Sequence, residues 1–309
     1  MNGDKEKNFV SAVIYIHNNE GAILAFLAGL CRVMQANFEK YEIICVDDAS
    51  TDQSVAKVRD FSSQSDTAMI SIIKMSYYQG LEHSMNAGMD LAIGDFVFEF
   101  DRIQMDFDFQ LIMQIYRHSL TGFDIVNAAP KNGAGFVSKM FYVLYNRYSK
   151  QAYKLQTESF RVLSRRGINR VHSLSKTIPY RKAIYANCGL KMDTVYYEPL
   201  SKQDRNVSEN RWNTAINSLI LFTDVAYRFA SLLAIGMMVI TACIGIYALL
   251  IYFDRQPVVG WTSMMLLLSG GFFGIFAIAA IVIKYLSILI DLEFRKKNYL
   301  IEDIEKLSK

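Results

Sequence analysis

Tyr41-Glu-Ile-Ile-Cys-Val-Asp-Asp-Ala-Ser-Thr-Asp52 is the stretch that decides the fold. A short apolar run ends in two adjacent carboxylates, and Ser50 or Thr51 then stands where a helix cap is expected. Three further runs, Phe9 to Ile16, Met69 to Met75 and Asp95 to Asp101, are rich in Val, Ile, Phe and Tyr and bounded by polar turns. Between the four runs lie segments with helical spacing, near Ile23 to Met34, Asp52 to Phe61 and Leu81 to Ala92. Such βαβ alternation predicts a mostly parallel sheet with helices on both faces. Ligands of such sheets bind outside the carboxyl ends of the strands. One rim therefore gathers His17-Asn18-Asn19-Glu20, Asp47-Asp48-Ala49-Ser50 and Asp101. Taken locally, Asp47 and Asp48 either cap the next helix or accept hydrogen bonds from a nucleobase and ribose.

The other end of the 309-residue chain has a different character. Ala230 to Phe253 carries no charge, and the run from Val258 carries none until Lys284. Each exceeds the roughly 20 apolar residues that cross a bilayer. Arg205, Arg211 and Arg228 precede the first run, and Arg295, Lys296 and Lys297 follow the second. Positive flanks on both sides predict a hairpin with both termini cytoplasmic, in a plasma or inner membrane. The expected organisation is a cytoplasmic α/β domain over 1–212, a juxtamembrane amphipathic helix over 213–228, two transmembrane helices within 229–290 (about 229–253 and 258–284) and a basic tail over 291–309. Gly270, Gly271 and Gly274 form a small-residue face suited to close helix packing, against the first span or against a second copy in a homo-oligomer. A catalytic-looking domain on such an anchor suggests a substrate that is itself in the membrane.

Bulk properties exclude some classes. A net charge of +3 gives no reason to expect nucleic acid. The polar segment Met1 to Asn8 does not read as a signal peptide. Cys31, Cys45, Cys188 and Cys243 share no metal-ligand spacing and form no disulfide framework, which fits a reducing compartment and buried small side chains.

Several motifs in order carry a resemblance. A first strand ends in His17-Asn18-Asn19-Glu20, then come Val46-Asp-Asp-Ala-Ser-Thr-Asp52, Asn86-Ala-Gly88, Ala92-Ile-Gly-Asp95 and Asp101. Ser159-Phe-Arg-Val-Leu-Ser-Arg-Arg166, Arg205-Asn-Val-Ser-Glu-Asn-Arg-Trp212, Gly260-Trp261, Lys284-Tyr-Leu286 and Glu293-Phe-Arg295 follow. Together these resemble the family-2 glycosyltransferases with the GT-A fold, in the polyprenyl-phosphate hexosyltransferase and bactoprenol glucosyltransferase branch, related to dolichyl-phosphate mannose synthase. The family pattern reads Tyr-Asn-Glu, then V-D-D-G-S-T-D, N-x-G, A-x-G-D and D-x-D, then F-R-L-x-x-R-R and R-x-x-G-E-S-K-Y/W.

The resemblance implies that a nucleotide sugar, UDP-glucose by default, is attacked at its anomeric carbon by a phosphate oxygen of polyprenyl (undecaprenyl) phosphate, with inversion. It implies donor contacts at Asn18, Glu20, Asp47, Asp48 and Gly80, and lipid-phosphate contacts at Arg161, Arg205 and Arg211. It also implies a divalent metal, Mg²⁺ or Mn²⁺, on the D-x-D acids to stabilise the departing diphosphate. The acceptor is already an anion, so alignment and charge stabilisation matter more than a strong base.

The chain departs from the pattern at two places. Its D-x-D position reads Asp101-Arg102-Ile103, and isoleucine cannot ligate a metal. Asp101 and Asp106 are the expected catalytic acids, with Asp101, Asp106 and Asp108 as a displaced metal set. Asp101 acting alone with diphosphate and water, or a chain that has lost activity and scaffolds another transferase, are the competing readings. In the first motif, Asn19 replaces a Glu.

Overall fold

A computed structural model describes residues 5–64, 69–103, 105–131, 153–174, 180–200 and 299–307, with short helical pieces between 142 and 147 and between 232 and 289. The chain divides into two compact units, Met1–Thr214 with Lys296–Lys309, and Ala215–Arg295.

In the first unit the four sequence-marked strands form as expected: β1 (Val10–Ile16), β2 (Tyr41–Asp47), β3 (Met69–Met75) and β4 (Phe96–Phe100). All three pairings among them are parallel. Helices α1 (Ile23–Asn37), α2 (Ser54–Gln64) and α3 (Leu81–Leu91) supply the crossovers. β2 is buried along nearly its whole length, as a strand covered on both faces must be. α1 buries Ile23, Phe26, Leu27, Leu30 and Met34, the i, i+3, i+4 stripe that its sequence spells. At about 1.5–3 kcal/mol for each large apolar side chain, that stripe is what holds the helix on the sheet. α3 packs so closely that a Cβ on Gly88 would overlap Val13 and Val46.

The remaining elements were weak in the sequence. They are α4 (Gln110–Ser119), β5 (Ile125–Pro130), β6 (Phe160–Ser164), α5 (Arg165–Leu174), α6 (Arg181–Asn187), β7 (Met192–Tyr197) and β8 (Ile301–Lys306). The eight strands make one mixed sheet in the order β7-β5-β6-β4-β1-β2-β3-β8. β6 runs antiparallel between β4 and β5, and its register sets Arg161 beside Glu99.

Part of the segment read as a basic tail joins the sheet. Its acid-rich residues 301–306 add an antiparallel strand to β3. Glu305 pairs with Arg59 at 2.7 Å and Lys74 at 2.5 Å. The Gln79 side chain brackets the backbone of Leu300, and the Tyr299 hydroxyl meets Asp90.

In the second unit, Gly274 lies close against Met237, so at least this glycine packs within its own unit. Among the described residues no helix is long and apolar enough to cross a membrane. The two expected spans fall largely outside the described residues, as do residues 201–228 with Arg205 and Arg211, and most of the aromatic and basic stretch 138–150.

Candidate active site

Three loops meet at the carboxyl ends of β1, β2 and β3. The first two are cross-laced. Asn18 donates its amide to Ser50 Oγ at 3.1 Å and accepts the Thr51 amide on Oδ1 at 2.9 Å. The Asn19 amide donates to Ser54 Oγ at 2.8 Å, and Glu20 Oε2 accepts the Gln53 amide at 3.0 Å. Asn18 and Glu20 thus shape the rim by joining two loops. Both Asn18 and Ala49 have positive φ, 53° and 52°. Glycine adopts that conformation without steric cost, and the family pattern has glycine where this chain has Ala49.

Asp48 is fully buried, and both its oxygens are occupied. It accepts the Gln79 amide at 2.7 Å, the Gly80 amide at 2.8 Å and the Tyr15 hydroxyl at 2.9 Å. Asp48 therefore anchors the 76–80 loop, a structural role beyond the donor contact expected of it. Gly80, at φ 86°, turns the backbone so that its amide meets that carboxylate. Asp47 accepts the Ser50 amide at 3.2 Å, and burial pushes its carboxyl pKa up. His17 packs against Tyr78 with ring centroids 4.7 Å apart and bonds the Asp48 carbonyl.

At the end of β4 the arrangement departs further from expectation. Glu99 and Asp101 alternate along one strand and so share a face. Two guanidinium groups, each 1% exposed, fill that face. Arg161 donates to Glu99 at 2.7 Å and Asp101 at 3.0 Å, and lies 3.1 Å from Glu158. Arg181 donates to Glu82 at 2.9 Å and to the other Asp101 oxygen at 2.7 Å, with Glu99 at 3.1 Å. Tyr185 closes the cluster by donating to Glu99 at 2.6 Å, its ring under the Arg161 guanidinium. Burial alone would raise the Asp101 carboxyl pKa, but Arg181 and Arg161 outweigh it and hold the group well below the usual carboxylate range.

This cluster corrects two expectations. Arg161 is not presented to a lipid phosphate, because its guanidinium faces carboxylates and is closed off from solvent. Asp101, Asp106 and Asp108 do not converge. Asp106 is buried and hydrogen-bonded to Tyr197, while Asp108 accepts the Gln110 amide at 3.0 Å at the start of α4. Ile103 is buried. Among the described residues no group of three or more His, Cys, Asp or Glu side chains is placed to hold a metal ion. Among the described residues the donor set does not fit the divalent metal that the resemblance implied.

The two arginines after β6 have structural work. Arg165 donates to the carbonyls of Ala92 at 2.8 Å and Gly94 at 3.0 Å, and Arg166 forks onto Asp124. Gly94 belongs to the same turn, where a Cβ would strike the Ser11 backbone. Arg165 and the A-x-G-D turn are thus one packing unit, joining β6 to the start of β4.

Sequence reasoning missed Arg181, Glu82, Glu158 and Tyr185. One signal was available: Glu99 and Asp101 on the same face of a buried strand require counter-charges. Which residues supply them depends on the antiparallel insertion of β6 and on α6, neither of which leaves a periodic trace.

A mixed sheet of this order, with acidic loops at the carboxyl ends of its parallel strands, has the GT-A-like architecture. Residues 11–102 match Glycosyl transferase family 2, and the relatives that the chain resembles include bactoprenol and undecaprenyl-phosphate transferases at modest identity. An uncharacterized glycosyltransferase of Synechocystis is 28% identical over 210 residues, 66% of this chain and 64% of that protein, so the match spans just under two thirds of this relative. The bactoprenol glucosyl transferase of Shigella phage SfV is 23% identical over 281 residues, covering 85% of this chain and 88% of that one. Among solved structures, a Pyrobaculum calidifontis mannosyltransferase in complex with GDP-Man and Mn²⁺ superposes with a TM-score of 0.51 at 16% identity. That match covers 72% of this chain and 65% of the other, and it bears on the fold alone.

Proposed function

We propose that this protein is an inverting glycosyltransferase that moves a hexose from a nucleotide sugar, UDP-glucose by default, to a polyprenyl phosphate at the cytoplasmic face of a membrane. The observation that carries the reading is the rim itself: loops 17–20, 47–54 and 76–80 are locked together by Asn18, Glu20 and Asp48 beside Asp101. A rim fixed in advance is what a donor must be held against if its anomeric carbon is to be aligned for attack. An acceptor phosphate oxygen then forms a bond to that carbon as the bond to the nucleoside diphosphate breaks, the electron pair leaving on the diphosphate oxygen. No proton transfer is required. Support for a lipid acceptor comes from the bactoprenol relatives and the two uncharged runs, which belong on this reading to an integral membrane anchor with both termini cytoplasmic. Arg205 and Arg211 are then the arginines that grip the acceptor phosphate.

The neutralised Asp101 and the Asp101-Arg102-Ile103 sequence favour one rival, a paralogue that binds nucleotide sugar and regulates or scaffolds another transferase. The test is transfer by full-length protein in detergent, using undecaprenyl phosphate and a panel of labelled nucleotide sugars. A lipid-extractable product is expected. Nucleotide binding with no product from any donor would select the rival.

A further inference from the structure

The strand end where this fold family places its metal acids carries a different charge arrangement here. Asp101 has each of its two oxygens on a separate buried guanidinium, at 2.7 and 3.0 Å. Four carboxylates, Glu82, Glu99, Asp101 and Glu158, share the guanidinium groups of Arg161 and Arg181, with the Lys182 ammonium 3.8 Å from Glu158. A cation arriving from solvent would therefore meet a carboxylate already satisfied, next to a buried Ile103. Glu82 and Glu158 pair with the two arginines from the outside, and Tyr185 bonds Glu99 with its ring under Arg161.

What a metal supplies at such a position is positive charge facing the diphosphate. Arg102 offers that charge. It follows Asp101 directly, is partly exposed, and among the described residues has no hydrogen-bond or ion-pair partner, although Tyr197 lies within range of its charge. A guanidinium is permanently charged and matches phosphate oxygens with a two-pronged fork.

We propose that this chain binds the diphosphate of its nucleotide donor without a divalent metal, with Arg102 as the cation facing the phosphates and Arg161 with Arg181 cancelling the charge of Asp101 beneath it. The inference rests on the nucleotide-donor reading above and is separable from it.

Titration calorimetry of the full-length protein in detergent with UDP, and with GDP in parallel, tests it. Binding should be the same in excess EDTA and in Mn²⁺ or Mg²⁺. Arg102→Gln should weaken it roughly ten- to a hundredfold, the usual worth of a charge-assisted contact, and Arg102→Lys by less. Because Arg102 is partly exposed, Arg102→Gln should leave the thermal unfolding midpoint unchanged, which separates lost binding from lost folding. Binding that vanishes in EDTA and returns with Mn²⁺ or Mg²⁺ would overturn metal independence while leaving the donor reading intact. Metal-independent binding indifferent to Arg102→Gln would overturn the role given to Arg102. Failure of both nucleotides to bind under either condition would remove the donor reading, and this inference with it.

Discussion

Arg181→Met tests the buried cluster most directly. The substitution keeps most of the side-chain volume and removes the charge that sits 2.7 Å from Asp101, 2.9 Å from Glu82 and 3.1 Å from Glu99. Arg161, which also pairs with Glu158, would then be left to balance the fully buried Glu99 and the nearly buried Asp101, with Lys182 the remaining positive charge acting on Asp101. Removing one partner of a buried ion pair typically costs about 3–5 kcal/mol, because the remaining charge is left desolvated. At roughly 2–4 °C per kcal/mol for a domain of this size, the unfolding midpoint should fall by about 6–20 °C. The pH dependence supplies a second signature. In the parent protein the arginines depress the Asp101 pKa, so its contribution to stability is present above the unfolded carboxylate value and is lost only as pH falls through the lower folded value. In the variant the folded pKa rises. The deficit should therefore be largest near neutrality and narrow on acidification through that raised pKa, by at most about 1.4 kcal/mol per pH unit. Thermal unfolding of both full-length proteins in mild detergent, followed by intrinsic fluorescence across pH 4 to 7, reads both quantities. A deficit under about 1 kcal/mol at pH 7 would refute the reasoning that this cluster depends on paired buried charges.

Other outcomes follow from single contacts. Gly88→Ala drives a methyl group into Val13 and Val46 and should cost about 1–3 kcal/mol; an unchanged unfolding midpoint would mean that α3 can lift off the sheet without penalty. A double-mutant cycle on Arg59 and Glu305, which pair at 2.7 Å in a largely solvated setting, should give a coupling of no more than about 1 kcal/mol, falling with salt. On the proposed function, Arg205→Ala should raise the apparent KM for polyprenyl phosphate about tenfold or more and leave the donor KM unchanged. A donor-only effect would reassign that residue.

The parallel half of the sheet was legible in advance because its signals are local. Four short apolar runs, with helical spacing between them, admit few arrangements, and the strand limits read from composition match β1 to β4 to within a residue or so. The rim loops were equally readable, since strand carboxyl ends are where this architecture puts its ligands. The antiparallel half was not, because β5 to β7 lie in a stretch whose pattern is weak and whose pairing depends on long-range register. β8 was missed for another reason: Ile301-Glu-Asp-Ile-Glu-Lys306 is mostly charged, as an edge strand can be, and reads as a solvated tail.

For the site, the sequence alone determined which residue types stand at each strand end, including the Asp101-Arg102-Ile103 departure that puts a conventional metal site in doubt. Only the tertiary structure decided what those residues do. Asp48 turns inward to hold Gln79 and Gly80, because the loop amides reach it across the sheet. Arg161 turns from expected lipid contact to charge balance, because β6 enters beside β4 with Arg161 in register with Glu99. Arg181 arrives from 80 residues away to take the other oxygen of Asp101. A carboxylate's partners are set by distances of about 3 Å in space, and residues that far apart in the chain are brought within that range only by the fold.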